Sequence, residues 1–225
     1  VARRISDIAL ALVLAVPLLP VLLGLMLLVC LVDGRPALFA SERVRAPGRH
    51  FRMWKLRTMQ PGPDETGVCG GHKVWRITPL GRWLRKLRLD ELPQLWNILR
   101  GDMSFVGPRP PEPQYVAQFP DLYARVLRRR PGVTGLATLI YHTHEERLLA
   151  RCRTAREAER IYTRHCIPRK ARLDLIYQAR AGFWLDLWLL WRSALKVLPP
   201  FRQAGAALRG LRLGGAATPP RVVER

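Results

Sequence analysis

The 225 residues carry 38 Lys and Arg against 17 Asp and Glu, a net charge of +21, on a length suited to one domain of about 100–200 residues, alone or with an anchor. That balance excludes an acidic disordered chain and predicts polyanionic partners: nucleic acid, an anionic membrane face or phosphorylated substrates. Cys30, Cys69, Cys152 and Cys166 form no CxxC pair, which argues against a disulfide framework or a zinc ribbon and fits a reducing, cytosolic side.

From Ile8 to Val32 there are 25 residues without a charge, a helical reach of about 37 Å against a hydrocarbon core of roughly 30 Å. The run is too long for a signal peptide and leads into Cys30-Leu31-Val32-Asp33-Gly34, so a retained membrane segment is predicted. Arg3 and Arg4 precede it and Arg35, Arg43, Arg45, Arg49 and Arg52 follow; both flanks favour the cytoplasmic side. Pro17 and Pro20 near its middle each cost about 3 kcal/mol in an ordinary helix interior and predict a bend. A re-entrant helix satisfies both observations, while a kinked spanning helix accounts for the prolines alone.

Ala37 to Met59 alternates apolar with basic positions around Pro47-Gly48 and predicts a small β element over Phe39–Met59. Gln60 to Gly71, with two prolines and four glycines, reads as a loop. Thr78-Pro79 opens an amphipathic basic helix carrying Leu80, Trp83, Leu84 and Leu87 between Arg82, Arg85, Lys86 and Arg88. Such a charge run by itself reads as a solvated face.

Asp90 and Glu91 follow at once, then a helical stretch from Leu92 that stops at Gly101. Asp90 stands where an N-cap would, and capping alone is one reading. The other is a site for a metal-bound diphosphate, since carboxylates, arginines and a helix N-terminus together favour one. In Gly107-Pro108-Arg109-Pro110-Pro111 the prolines preorganise the turn that carries Arg109, although proline-rich turns also carry exposed arginines incidentally.

Further helices are predicted at about Pro113–Arg130, Glu145–Cys166 and Lys170–Leu198, with Arg129 to Gly135 as a turn. His142-x-His144 and His165-Cys166 lack further ligands at useful spacing and are read as surface or packing residues. Phe183, Trp184, Trp188 and Trp191 suit either an interfacial amphipathic helix or core packing. Residues 199–225 read as a basic, disordered tail able to touch anionic lipid.

The string Leu89-Asp90-Glu91-Leu92-Pro93-Gln94-Leu95-Trp96-Asn97, with Arg100 to Pro110 after it, Lys55-Leu56-Arg57-Thr58-Met59 before it and Arg130-Pro131-Gly132-Val133-Thr134-Gly135 beyond, resembles the bacterial sugar transferases, the monotopic phosphoglycosyl transferases. The resemblance runs from about Arg3 to Leu198 and implies the small, catalytic-core form. It implies an α-dominated α+β fold: a re-entrant, proline-broken membrane helix at 1–34, a cytosolic catalytic domain at 35–198 with interfacial amphipathic helices, and the tail at 199–225.

The implied reaction moves a sugar-1-phosphate from a nucleotide diphosphate sugar, UDP-linked in expectation, to undecaprenyl phosphate. It proceeds at the cytosolic face of the bacterial inner membrane, releases UMP and begins glycan assembly. Asp90 is implied as the nucleophile that forms an aspartyl phosphosugar, and Mg2+ as the cofactor at Asp90 and Glu91. Glu91 is left to metal binding or to proton acceptance from the acceptor phosphate. Lys55, Arg57, Arg85 and Arg109 fall on positions implied to hold phosphates or face the headgroup region, and Asp174, Tyr177 and Asp186 match a later part of the pattern without an assigned role.

The chain departs from the pattern at Leu19, where a serine commonly precedes the proline, at Arg88, where a small hydroxyl residue is common, and over Thr138–His142. The donor sugar and the oligomeric state are not readable. A membrane-tethered nucleic-acid binder would also explain the charge, but no nucleic-acid signature is present; a non-catalytic membrane protein that binds polyanions or lipid is the remaining alternative.

Overall fold

The computed structural model describes residues 2–62 and 71–197; the tail from 199 on and most of the 60–71 loop lie outside them. The chain opens with α1 (Ala2–Val32), which runs helical through Pro17 and Pro20. It is long and apolar enough to cross a membrane, and little of it is buried. Val13, Val16, Leu19 and Leu31 are more than half exposed. Both ends of this helix nevertheless pack on the rest of the protein. Ala11 joins Phe51, Met53, Ile98 and Met103 in one core cluster, while Leu25 and Val29 join Ala37, Leu56 and Leu84 in another.

β1 (Leu38–Ala46) and β2 (Arg49–Leu56) form an antiparallel hairpin with Leu38 opposite Leu56 and Val44 opposite His50. Gly48 takes φ +70° at its turn, a conformation cheap for glycine. The period-2 pattern sends Phe51 and Met53 to the buried face, and Lys55 continues that same face toward the interior. A short 3₁₀ turn, Gly71–Arg76, precedes α2 (Pro79–Lys86), whose N-cap Thr78 accepts a hydrogen bond from Gly81 N as the sequence predicts.

The stretch after α2 differs from expectation. Arg88 turns the chain with φ +58°, and Leu89–Glu91 form a 3₁₀ turn rather than the start of a helix. The helix that follows, α3 (Gln94–Arg100), has Pro93 in the cap position, so Asp90 is not an N-cap. Gly101 ends α3 at φ +87°, as predicted. Asn97 of α3 accepts from Trp54 N at 3.1 Å and donates to Arg52 O at 2.8 Å, which fixes the hairpin backbone against the helix.

β3 (Ser104–Val106) pairs in parallel with β4 (Gly132–Thr134), so the predicted turn at Arg129–Gly135 contains a strand. Glycines permit this approach. A Cβ on Gly132 would lie 2.1 Å from Gly107 N, and one on Gly135 would lie 2.1 Å from Gly107 O. The position of the Pro108-Arg109-Pro110 turn therefore depends on three residues without side chains.

The predicted helix Pro113–Arg130 is two, α4 (Pro113–Gln118) and α5 (Pro120–Val126), because Pro120 forces Phe119 out of helical geometry, to φ −131° and ψ 61°. Between β4 and the C-terminal region lie α6 (Leu136–Ala150) and α7 (Ala155–Ile161), divided at Thr154, whose side chain caps α7. A π turn, Tyr162–Cys166, leads into α8 (Ile167–Arg180), and α9 (Phe183–Val197) follows a break at Ala181-Gly182. The architecture is α-dominated with two small sheets. The tryptophans of α9 are not core: Trp184 is 79% exposed and Trp191 58%, whereas Leu189 on the opposite side is fully buried.

Candidate active site

A cavity of about 690 Å³ opens between the hairpin, α2, the 3₁₀ turn at Leu89–Glu91, the Arg109 turn and the inner faces of α5, α6 and α8. All six residues singled out from the sequence line it: Lys55, Arg57, Arg85, Asp90, Glu91 and Arg109. Its size falls within the range of about 300–1,000 Å³ usual for small-molecule sites.

Glu91 is 9% exposed and held by three cations. Its Oε1 lies 3.3 Å from Lys55 Nζ and 3.1 Å from an Arg109 nitrogen, and its Oε2 lies 3.3 Å from Arg88. Burial favours the neutral acid, but Lys55, Arg109 and Arg88 together outweigh it and hold the carboxyl well below the usual carboxylate range. On the other side of the cluster, burial lowers the Lys55 ammonium against the pull of Glu91. Burial lowers the Arg109 guanidinium, and Glu91, Glu145 and Tyr162 together more than offset it, so it stays charged.

Asp90 is as buried but differs in its partners. It is 7% exposed, yet among the described residues it has no hydrogen bond or ion pair. Burial raises its pKa, Lys55 opposes that shift, and the charge on Glu91 adds to it. Two adjacent carboxylates are thus sorted by environment, one locked in a cation clamp and one uncommitted. The left-handed turn at Arg88 helps to sort them, because it folds the 3₁₀ segment back beneath α2 and lets Arg88 reach Glu91 three residues on.

The remaining predicted residues divide. Arg85 lines the cavity and donates from Nε to Thr58 Oγ1 at 2.8 Å. Arg57 also borders the cavity, but its guanidinium is turned to main-chain carbonyls, Asp33 O at 2.7 Å, Arg35 O at 2.9 Å and Gly34 O. The structure thus gives Arg57 a clamp on the exit of α1 while keeping it at the cavity wall. Asp33 itself accepts from Thr78 Oγ1 at 2.8 Å, which ties the same exit to α2.

Tyr177 and Asp186, left without a role by the sequence, hold the other end of α1. Arg3 donates to Val106 O and Tyr177 Oη, each at 2.6 Å, and pairs with Asp186 at 3.2 Å. Asp7 accepts from Ser104 Oγ at 2.8 Å.

Sequence reasoning missed the α6 wall. Thr138, His142, Glu145, Glu146 and Leu149 all line the cavity at spacings that put them on one face of a helix, a signal available from the sequence once α6 is started at Leu136. His142, read there as a surface or packing residue, faces the cavity instead. Burial, with Arg88 and Arg109 nearby, lowers its pKa to about 3, so it is neutral at physiological pH.

An uncommitted buried carboxylate and clustered cations share one cavity, in a chain that also carries a largely exposed helix long and apolar enough to cross a membrane; together they define a candidate anion-binding site. Comparison narrows this class. The family model described as bacterial sugar transferase matches residues 1–200, and the chain belongs to that family. It is similar to the UDP-N-acetylgalactosamine-undecaprenyl-phosphate N-acetylgalactosaminephosphotransferase of Aeromonas hydrophila, with 32% identity over 88% of this chain and 44% of that protein. It is 43% identical to the UDP-glucose:undecaprenyl-phosphate glucose-1-phosphate transferase of Caulobacter vibrioides over 60% of this chain and 52% of the relative. With the sugar transferase EpsL of Bacillus subtilis it shares 33% identity over 88% of both chains. The chain spans about half the length of the first two relatives.

Proposed function

We propose that this protein transfers a sugar-1-phosphate from a UDP-sugar to undecaprenyl phosphate, releasing UMP, at the cytosolic face of the bacterial inner membrane. The observation that carries this reading is the pairing of an uncommitted Asp90 with a cation-clamped Glu91 in one cavity. The family membership and the activities for which the relatives are named support it.

In the reaction, an Asp90 oxygen attacks the phosphorus that bears the sugar, and the bond from that phosphorus to the UMP oxygen breaks. UMP leaves with the electron pair, and an aspartyl phosphosugar remains. A phosphate oxygen of the polyprenyl acceptor then attacks the same phosphorus, Asp90 leaves as carboxylate, and the sugar diphospholipid is complete. Arg85, Arg88, Lys55 and Arg109 supply the positive field in which phosphate charge is held and shifted. Glu91 keeps Lys55, Arg88 and Arg109 gathered at that point. Mg2+ commonly binds through one or two carboxylates plus substrate phosphates, a requirement that Asp90, with Glu91 behind it, fits; there it would neutralise charge on the diphosphate.

The re-entrant reading of α1 draws support from both of its ends resting on one body, through Arg3 and Asp7 at the start and Asp33 and Arg57 at the exit. A bilayer-crossing helix would hold those ends on opposite sides of the membrane. We assign 1–34 to the membrane helix and 35–198 to the catalytic domain, with the exposed tryptophans of α9 at the headgroup level. The test is magnesium-dependent release of UMP from a panel of UDP-sugars, by protein in nanodiscs with and without undecaprenyl phosphate. UMP release that requires acceptor and Asp90 supports the reading; UDP as product, or silence across the panel, overturns it.

A further inference from the structure

The inner end of the cavity carries a carboxylate that the proposed chemistry does not use. Ile167, Lys170, Ala171 and Asp174 of α8 all line it, the i, i+3, i+4, i+7 stripe of one helix face, with Tyr123 and Val126 of α5 opposite. The other charged groups of this lobe are paired. Lys170 Nζ bonds Glu145 at 3.0 Å and Tyr162 Oη at 3.2 Å, and Arg43 pairs with Glu112 at 3.0 Å. Asp174 is 5% exposed, and its Oδ1 is buried with no hydrogen-bond partner among the described residues. An orphaned buried acceptor costs stability, and such exceptions are found where a ligand or water completes them.

We propose that this lobe seats the sugar of the donor, with Asp174 accepting hydrogen bonds from its hydroxyl or acetamido N–H groups. The proposal rests on the phosphoglycosyl transfer reading above. Phosphate is matched by Lys55, Arg85, Arg88 and Arg109 of the same cavity, whereas an ionised Asp174 repels it. A metal ion would meet one unpaired acid among the described residues of this lobe, because Glu145 and Glu112 are engaged by Lys170 and Arg43, and Lys170 stands one helical turn from Asp174. A neutral polyol fits, since its hydroxyls can donate to the carboxyl oxygens of Asp174 and can also accept from the group when it is protonated. Discrimination follows, because a sugar that offers no donor at this point leaves the buried oxygen unpaired, the arrangement that gives polar sites their largest selectivity.

The test is binding to full-length protein in nanodiscs, in an Asp90→Asn background that holds the donor without consuming it. Titrations with UDP and with UDP-sugars differing in single hydroxyl or acetamido groups are compared with and without Asp174→Ala. The expected result is at least a tenfold loss of the affinity gain of the preferred UDP-sugar over UDP, with UDP affinity changed less than twofold and preference among sugars flattened. Asp174→Asn, which keeps one acceptor and removes the orphan charge, is expected to fold normally and to shift the preference order. Equal weakening of UDP and UDP-sugar, or unchanged sugar discrimination in both variants, overturns the role of Asp174 alone. If the Asp90→Asn parent and the wild-type protein bind no nucleotide sugar, the proposed function falls and this role with it.

Discussion

Arg3 and Asp186, 3.2 Å apart, join the first turn of the apolar helix to the last described helix. Tyr177 completes the tie by donating to Asp186 at 2.5 Å while accepting from Arg3. Arg3 is about a third exposed, which places its contribution at the lower end for hydrogen bonds to charged groups, about 1–2 kcal/mol. Arg3→Ala is expected to lower the thermal unfolding midpoint in detergent, and Tyr177→Phe to lower it less, because Arg3 and Asp186 still meet. An unchanged midpoint in Arg3→Ala would show that this end of α1 is not held.

Asp90→Asn is expected to abolish UMP release while leaving the fold intact, since no hydrogen bond is lost and a buried charge is removed. Circular dichroism and the unfolding midpoint check the fold. A folded variant with wild-type turnover would remove Asp90 as nucleophile.

Glu91 has the opposite character. Breaking a buried ion cluster leaves its partners uncompensated, at a cost of about 3 kcal/mol or more, and Glu91→Gln leaves Lys55, Arg88 and Arg109 facing one another. Denaturant titration should therefore show a loss several times that of Asp90→Asn. Because the folded pKa of Glu91 is depressed, its stabilisation is complete above the ordinary glutamate value of 4.5 and is lost progressively as pH falls from there through the lower folded value. A stability slope below 4.5 that is the same in Glu91→Gln as in wild type would contradict the clamp.

Asp174 gives the reverse pH dependence. Burial pushes its carboxyl up to about 7 from 3.8, against the pull of Lys170. The folded protein therefore binds more protons than the unfolded chain between those values. Stability is full below 3.8 as far as this group is concerned and falls as pH rises toward 7. Asp174→Asn should flatten that slope in unfolding midpoints measured across the interval, and a slope equal to wild type would show that Asp174 is solvated.

Arg57→Lys tests the clamp at the exit of α1. The guanidinium fork serves three carbonyls at once, which an ammonium on a flexible stem does not reproduce. The expected effect is a lower unfolding midpoint with UMP affinity within about twofold of wild type; weakened UMP binding at unchanged stability would assign Arg57 to phosphate instead.

The sequence made the local features legible and hid those that depend on distant partners. Alternation around Phe51 and Met53 marked the hairpin, Thr78 marked its helix, and Asp90, Glu91, Lys55, Arg85 and Arg109 all reached one cavity. Helix breaks at Pro120 and Thr154 were readable in principle, the second from Thr154-x-x-Glu157, in which Glu157 N donates to the Thr154 side chain at 3.1 Å and Glu157 accepts from Arg153 N at 2.9 Å. The partners of Arg57 were not readable, because its direction is set by carbonyls more than twenty residues away. Nor was the isolation of Asp174, which arises only when α5 and α8 close over it.

The two fastenings of α1 also bear on how the protein can be handled. Ala11, Leu25 and Val29 supply one side of two core clusters, so deleting the first 34 residues to obtain a water-soluble enzyme would strip Phe51, Met53, Leu56 and Leu84 of their cover. The product would be a fragment with an open core and two raw apolar faces, prone to aggregate. Solubility is better sought by substituting the outward Val13, Val16 and Leu19 while keeping the inward residues in place.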